Sequence, residues 1–315
     1  MSQHISYTTE EIAQLLKISK LTVYDLIKKG EILSYRVGKQ MRIDAADLDA
    51  YKQRSKAKGA GEQHAMLAQA APITTERISG APVLTGQDIS LDILSSHLEQ
   101  RMPGLRPLRS HVGSLEGLIS MYRGEADIVS THLLDGDSGE YNLPYIRRLL
   151  IGMPYIVVNL LSRPAGIYVG RGNPHGISNW TELGRPGLRL ANREVGSGAR
   201  VLLDEQLRLN GILPSSVSGY DNIHTSHLSV ASKVAAGEAD VGVGTARAAA
   251  IVEHVDFIPL TQERYDLVIL KNDRSKLWLH ELLTIIRSEK FVQELQAISG
   301  YDLSLTGQVL YESPR

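Results

Sequence analysis

The stretch "LANREVGSGAR", Leu190 to Arg200, sets a Ser-Gly pair between two arginines and runs directly into the helical pattern "VLLDEQLRL". The first turn of a helix has unpaired N–H groups and carries about half a unit of positive charge, so it is a ready anion site. Ser197, Gly198 and Ala199 are candidate N–H donors, with Arg193 or Arg200 as the charge. Three more loops follow the same plan. "LTGQDISLDIL" places Thr85, Gly86 and Gln87 after a strand, with Asp88 as the helix cap. "HVGSLEGLISMY" offers Gly113 and Ser114, and "GYDNIHTSHLSVASKVAAGEADVGVG" opens a helix at Thr225 or Ser226. Several such ends aimed at one cleft bind an anion without a large net charge, and the chain's formal charge is −1. His132 and His227 add imidazoles able to hydrogen-bond a ligand. Any one of these loops could be a tight strand-to-helix turn and nothing more, since Gly and Ser are common there. Two arginines around a Ser-Gly pair exceed what a turn needs.

Other chemistries lack their residues. His111, His132, His224 and His227 lie near loop ends, and His224 and His227 have a spacing that chelates on a helix. No HExxH motif or acidic partner accompanies them, so no metal site is expected. "HLLDGDSGEYN" groups Asp135, Asp137 and Glu140 but fails the spacing of a calcium loop. The sequence has no nucleophile elbow or Walker loop, and it has no cysteine, which removes disulfides and thiolate sites. No catalytic residue and no cofactor is expected.

A second set of candidate residues lies near the N-terminus. "YTTEEIAQLL" opens with Thr8 or Thr9 as a cap and acidic residues suited to a helix start. Ile12, Leu15 and Leu16 form its apolar face. "KLTVYDLIKKG" resumes the period with Leu21, Val23, Leu26 and Ile27 and stops at Gly30. Two short helices joined by a tight turn make a helix-turn-helix. "ILSYRVGKQMRI" alternates about "VGKQ" as a hairpin, and a third helix starts at Asp44. Lys20, Thr22, Tyr24, Lys28 and Lys29 remain polar on the second helix, and Arg36, Lys39 and Arg42 punctuate the hairpin. A cationic helix with a basic wing fits the major groove and backbone of double-stranded DNA. A solvated face on a protein-binding module is the competing reading.

These elements divide the chain. Residues 1–54 form the helix-turn-helix domain, and 55–76, rich in Ala, Gly, Gln and Lys, form a linker. From 77 to 315, strands alternate with helices in the manner of parallel α/β units, enough for two lobes. No apolar run approaches the ~20 residues of a membrane span. "MSQHISYTTEE" lacks a signal-peptide core, so a cytoplasmic location is expected.

Residues 7–51 resemble the excisionase/MerR-type winged helix-turn-helix along their whole length. The resemblance implies that the second helix reads bases and the wing grips the backbone or minor groove. Residues 80–307 are similar to the periplasmic-binding-protein-like domain of certain cytoplasmic regulators and of proteins fused to molybdopterin biosynthesis. The likeness runs through "GSLEGL", "EADIVSTHLLDGDSGEYNLPYIRRLL", "GIYVGRGNPHGI", "NREVGSGARVLLDEQL" and "ERYDLVI". It implies a type II binding-protein fold with a ligand cleft at the hinge, lobe one being 77–164 with 257–315 and lobe two 165–256. Two departures stand out: Gly86-Gln87 where such domains commonly have Ser-His, and Ala199 where they have Thr. Together the resemblances imply a one-component transcriptional regulator, acting as a homodimer or higher oligomer on DNA. Its effector would be a small oxyanion, molybdate or tungstate first, with a sulfur oxyanion or organic acid as alternatives. A soluble ligand carrier with a protein-binding N-terminal module, and a non-catalytic part of molybdenum-cofactor synthesis, are the competing functions.

Overall fold

Thr8 and Glu11 close the first helix with a reciprocal cap. The Thr8 hydroxyl accepts from the Glu11 N–H at 3.2 Å, and the Glu11 carboxylate accepts from the Thr8 N–H at 2.7 Å, satisfying two donors at once. The computed structural model describes residues 6–16, 19–28, 32–37, 40–45, 47–48, 51 and 81–314. The chain divides into two compact units, residues 1–73 and 74–315.

In the first unit β1 (Ser6–Thr8) leads into α1 (Thr9–Leu16) and α2 (Lys20–Lys28), then β2 (Tyr35–Val37) and β3 (Gln40–Asp44). Ser19 caps α2, accepting from the Thr22 N–H at 3.1 Å. The expected hairpin is present, Tyr35 opposite Arg42 and Val37 opposite Gln40. β1 adds a third strand on the far side of β3, which sequence reasoning missed because three residues carry no period. Ile12, Val23, Ile32, Ile43 and Leu48 make the core. Leu15, expected beside Ile12, is instead 52% exposed. The short α1 packs through Ile12, Ala13 and Leu16, and Leu15 falls off that stripe. Asp44 ends β3, accepting from the Tyr35 hydroxyl at 2.8 Å, and Ala45, Asp47, Leu48 and Tyr51 are helical. Lys29, Gly30, Lys39 and the linker 55–76 lie outside the described residues.

The second unit begins with β4 (Val83–Thr85), α3 (Ser90–Arg101), β5 (Leu108–Ser110), α4 (Ser114–Tyr122), β6 (Ile128–Thr131) and α5 (Leu143–Leu149). After β7 (Tyr155–Gly170) come β8 (Leu190–Arg193), α6 (Gly198–Leu209), β9 (Ile223–His224), α7 (His227–Ala235), β10 (Val241–Thr245) and α8 (Ala246–Ile251). β11 (Val255–Leu270) returns, followed by α9 (Leu279–Ile286), α10 (Glu289–Gln296) and β12 (Val309–Glu312). The strands join in the order β5-β4-β6-β11-β7-β10-β8-β9, with β12 also on β7. β5, β4 and β6 run parallel at one end, and β10, β8 and β9 run parallel at the other. This is a two-lobed α/β fold, and its lobes are joined by β7 and β11.

Those two strands have 16 residues each and pair antiparallel along their whole length. Their first-lobe halves meet β6 and β12, and their second-lobe halves meet β10. Register shifts fall between Pro259 and Thr261 and between Tyr265 and Asp266. The segment between those shifts is where the pair passes from one lobe to the other. Each lobe has its own apolar cores: Leu84, Leu94, Leu161, Trp278 and Phe291 lie in the first lobe, and Ile167, Leu190, Leu203 and Val243 in the second.

Candidate functional site: a cleft between two lobes

A cleft of about 780 Å³ opens between the lobes. Its walls are helix starts: Gln87, Asp88 and Ile89 before α3, Gly113 and Ser114 at α4, Ser197 and Gly198 at α6, Ser226 and His227 at α7. The parallel strands of each lobe feed helices at their C-terminal ends; the two sets run in opposite senses, so Thr131 at the end of β6 and Thr245 at the end of β10 both face the middle of the β7–β11 pair, and one cleft collects the helix starts of both lobes.

Its floor is an ion network on the crossing strands. Arg163 of β7 stands directly opposite Glu263 of β11, with Nε to Oε1 at 2.6 Å. The Arg163 guanidinium also pairs with Asp88 and lies 4.6 Å over the Tyr265 ring. The His132 Nδ1 meets the other Glu263 oxygen at 3.0 Å. All three of Asp88, Arg163 and Glu263 are buried. Burial pushes the Glu263 carboxyl up, but His132 and Arg163 outweigh it and hold the group well below the usual carboxylate range. Asp88 behaves alike: Arg163, Tyr301 and Ser90 offset its burial and bring it below its ordinary value. Burial pushes the Tyr265 phenol up to about 12; its hydroxyl lies 2.7 Å from Ser130 Oγ.

Asp88 was expected as a helix cap, and its Oδ1 does accept from the Ser90 N–H at 2.8 Å. The same oxygen accepts from the Tyr301 hydroxyl at 2.6 Å, and Oδ2 takes Arg163. Asp88 is therefore fully engaged. Gly86 has φ +135°, and a Cβ there would sit 1.9 Å from Ser130 Oγ. The backbone angle and the Ser130 side chain both call for glycine at this position. Gln87 both donates and accepts across the cleft: Nε2 donates to Glu194 Oε1 at 3.3 Å, and Oε1 accepts from Arg193 Nη2 at 2.8 Å.

Of the expected ligand residues, Gly86, Gln87, Ser114, His132, Arg193, Ser197, Gly198 and His227 line the cleft. Thr85, Ala199 and Arg200 do not. Thr85 is buried on β4. Ala199 packs in the second lobe's core with Leu202 and Leu203, so a threonine placed there tests core packing and not ligand contact. Arg200 turns away, stacking 4.0 Å over Tyr220, pairing with Asp204 and donating to the Arg193 carbonyl. Arg193 is the arginine of that loop at the cleft, and it is held by Glu194 at 2.6 Å. Arg163, Glu263, Tyr265 and Arg247 escaped sequence reasoning. A signal was present: "LLSRPAGIYV" and "ERYDLVI" set charges inside strand-like apolar runs, where a charge needs a partner.

The lobes touch across the cleft. Leu115 N–H donates to the Gly196 carbonyl at 2.9 Å. Arg208 pairs with Asp137 at 2.8 Å, and Gly136 N–H donates to Glu205. His227 Nδ1 is buried without a hydrogen-bond partner. Burial first, then Arg193 and Arg163, hold its imidazole well below the ordinary histidine value. The unfolded chain takes up a proton near pH 6.5 where the folded protein does not, so stability should fall as pH drops below about 6.5, at up to about 1.4 kcal/mol per pH unit from this group. Thermal melts from pH 7.5 to 5.5 check this, and His227→Gln should flatten the slope. Among the described residues no group of three or more His, Asp or Glu is arranged to hold a metal ion, and no helix is long and apolar enough to cross a membrane.

Comparison with known proteins bears on this architecture. Residues 95–287 match the PBP superfamily domain, and residues 6–56 match a helix-turn-helix domain. An uncharacterised Bacillus subtilis protein, YvgK, is 48% identical, covering 99% of this chain and 100% of its own length. Two solved structures share the fold at a TM-score of 0.50. A cysteine-to-serine mutant of Corynebacterium glutamicum OxyR, with H2O2 bound, is 15% identical, covering 92% of this chain and 89% of that one. A putative phosphate transporter substrate-binding protein from Clostridium perfringens, with bound phosphate, is 14% identical, covering 70% and 98%. The two-lobed cleft and the matching sequence agree: this chain belongs to the family of the PBP superfamily domain and carries a helix-turn-helix domain on the N-terminal side.

Proposed function

We propose that the protein is a ligand-responsive transcriptional regulator: the helix-turn-helix domain binds double-stranded DNA, and the cleft binds a small anionic effector. The observation that carries this reading is a helix-turn-helix and a ligand cleft in one chain. The DNA face consists of Lys20, Thr22, Tyr24 and Lys28, all exposed on α2, with exposed Arg36 on β2. Arg42 is half-buried, its Nη1 reaching the Ser6 carbonyl at 3.5 Å, and Lys39 belongs to the same proposed wing. Lys20 pairs with Glu10 and exchanges that partner for phosphate on binding. In the excisionase/MerR manner, α2 enters the major groove and the wing lies on the backbone. The protein acts in the cytoplasm as a homodimer, since paired half-sites suit two such modules.

The effector shifts the protein by binding one lobe arrangement more tightly than the other. Molybdate and tungstate remain the narrowest form of the anion reading. The exposed aliphatic side chains of Ile89, Leu228 and Ile251 in the cleft wall favour an organic acid instead. Fluorescence anisotropy with a fragment of the protein's own promoter tests the regulator. Log affinity should fall linearly with log salt, and Arg36→Ala should reduce the slope by about one. DNA binding that is absent at every salt concentration overturns the reading.

A further inference from the structure

We propose that the effector is an amphipathic monocarboxylate, its carboxylate on Arg247 and its hydrocarbon part against Ile89, Val195, Leu228 and Ile251. This rests on the cleft being the effector site.

Charge sets the first half of the inference. Of the arginines lining the cleft, Arg163 is neutralised by Asp88 and Glu263, and Arg193 by Glu194. Arg247 meets no carboxylate among the described residues; its Nη1 donates to the Tyr301 hydroxyl at 3.2 Å. One guanidinium is therefore free to hold one negative charge. A dianion such as molybdate would bring a second negative charge for which the arginines lining the cleft, Arg163 and Arg193 being already paired, offer no further cation. The unpartnered His227 Nδ1 is a further polar contact available to the ligand's head.

Apolar surface sets the second half. Ile89 is 40% exposed, Leu228 43%, Ile251 59% and Val195 75%, and all four line the cleft. Single exposed aliphatic residues are ordinary. Four from four separate segments facing one space form an apolar wall that a five-atom oxyanion leaves wet. The cleft's 780 Å³ is the size of a site for an organic molecule.

Calorimetric titration of the full chain with acetate, butyrate, hexanoate and octanoate, and with molybdate and sulfate, tests the proposal. Affinity should rise by about four-fold per added methylene until the chain clears the rim. Arg247→Gln should abolish hexanoate binding and Arg247→Lys should retain part of it. The pair Leu228→Ser and Ile251→Ser should flatten the chain-length dependence at an unchanged melting temperature. Affinity flat across the series, or molybdate or sulfate binding more tightly than hexanoate, overturns it. Hexanoate that binds as expected yet leaves promoter affinity unchanged sinks the regulator reading and leaves the ligand class standing.

Discussion

Arg163→Met should destabilise the two-lobed domain by about 3–5 kcal/mol, a drop of roughly 6–20 °C in its melting temperature. Arg163 is the shared partner of two buried carboxylates, Asp88 and Glu263. Removing it leaves Asp88 out of water without a cation and Glu263 with the His132 contact alone, and the loss of a partner costs far more than the pair contributes. The pH dependence carries a sign. Both carboxylates are held below their ordinary values, so in the native protein their stabilisation is present above about pH 4 and is lost as pH falls further. Without Arg163, Asp88 loses the group that chiefly offsets its burial and more readily takes a proton. The deficit of the variant should therefore be largest near pH 7.5 and should narrow toward pH 4.5. Melting curves of both proteins at the two pH values read this directly. A triple variant, Asp88→Asn, Arg163→Met and Glu263→Gln, should recover most of the loss, because no buried charge then lacks a partner. A single variant that melts within a degree of the native protein would refute the network's role.

Gly198→Ala is expected to leave the fold intact and weaken effector binding. A Cβ at Gly198 would lie 2.3–2.6 Å from three atoms of the His132 ring. That ring cannot retreat cheaply: Glu263 holds its Nδ1, and Tyr265 lies beside it at 5.3 Å between centroids. Gly198 opens α6 in the second lobe, and His132 follows β6 in the first. The clash is relieved by separating the lobes, not by deforming either core. Overpacking of one methyl costs about 1–3 kcal/mol, and borne by the lobe arrangement that the ligand bridges it weakens apparent affinity by up to roughly five-fold to over one hundred-fold. Calorimetry with hexanoate gives the affinity, and the thermal melt confirms that each lobe is unharmed. Combining Gly198→Ala with His132→Ser should restore closure, and the non-additivity of the two changes measures the contact.

The elements around these residues were legible where they have a period or a cap. "TVYDLIKK" and "YRVGKQMRI" announce α2 and the hairpin, and the Gly-Ser loops announce the helix starts that line the cleft. Strand β1 was not legible, since Ser6–Thr8 becomes a strand only because β3 is there to pair with it. The two arginines of "NREVGSGAR" look alike in sequence. Only the fold separates Arg193, which faces the cleft, from Arg200, which stacks on Tyr220. The floor was the least visible part. Asp88, Arg163 and Glu263 meet across 75 and 100 positions of sequence, and no local spacing encodes such a meeting.

The paired strands β7 and β11 have a mechanical consequence. Two ribbons hydrogen-bonded along 16 residues resist sliding past one another, because every ladder bond would have to break together. They yield more readily to bending and torsion, and the two register shifts bracketing Arg163 and Glu263 put the softest points on either side of the ion network. A connection of this kind favours rotation of the lobes over translation, like a door on a torsion bar. Arg163, which lines the cleft, lies between those points with its partner Glu263, so a ligand contact made there acts close to where the lobes would turn, and a small change at that point has the longest lever on the far ends of both lobes.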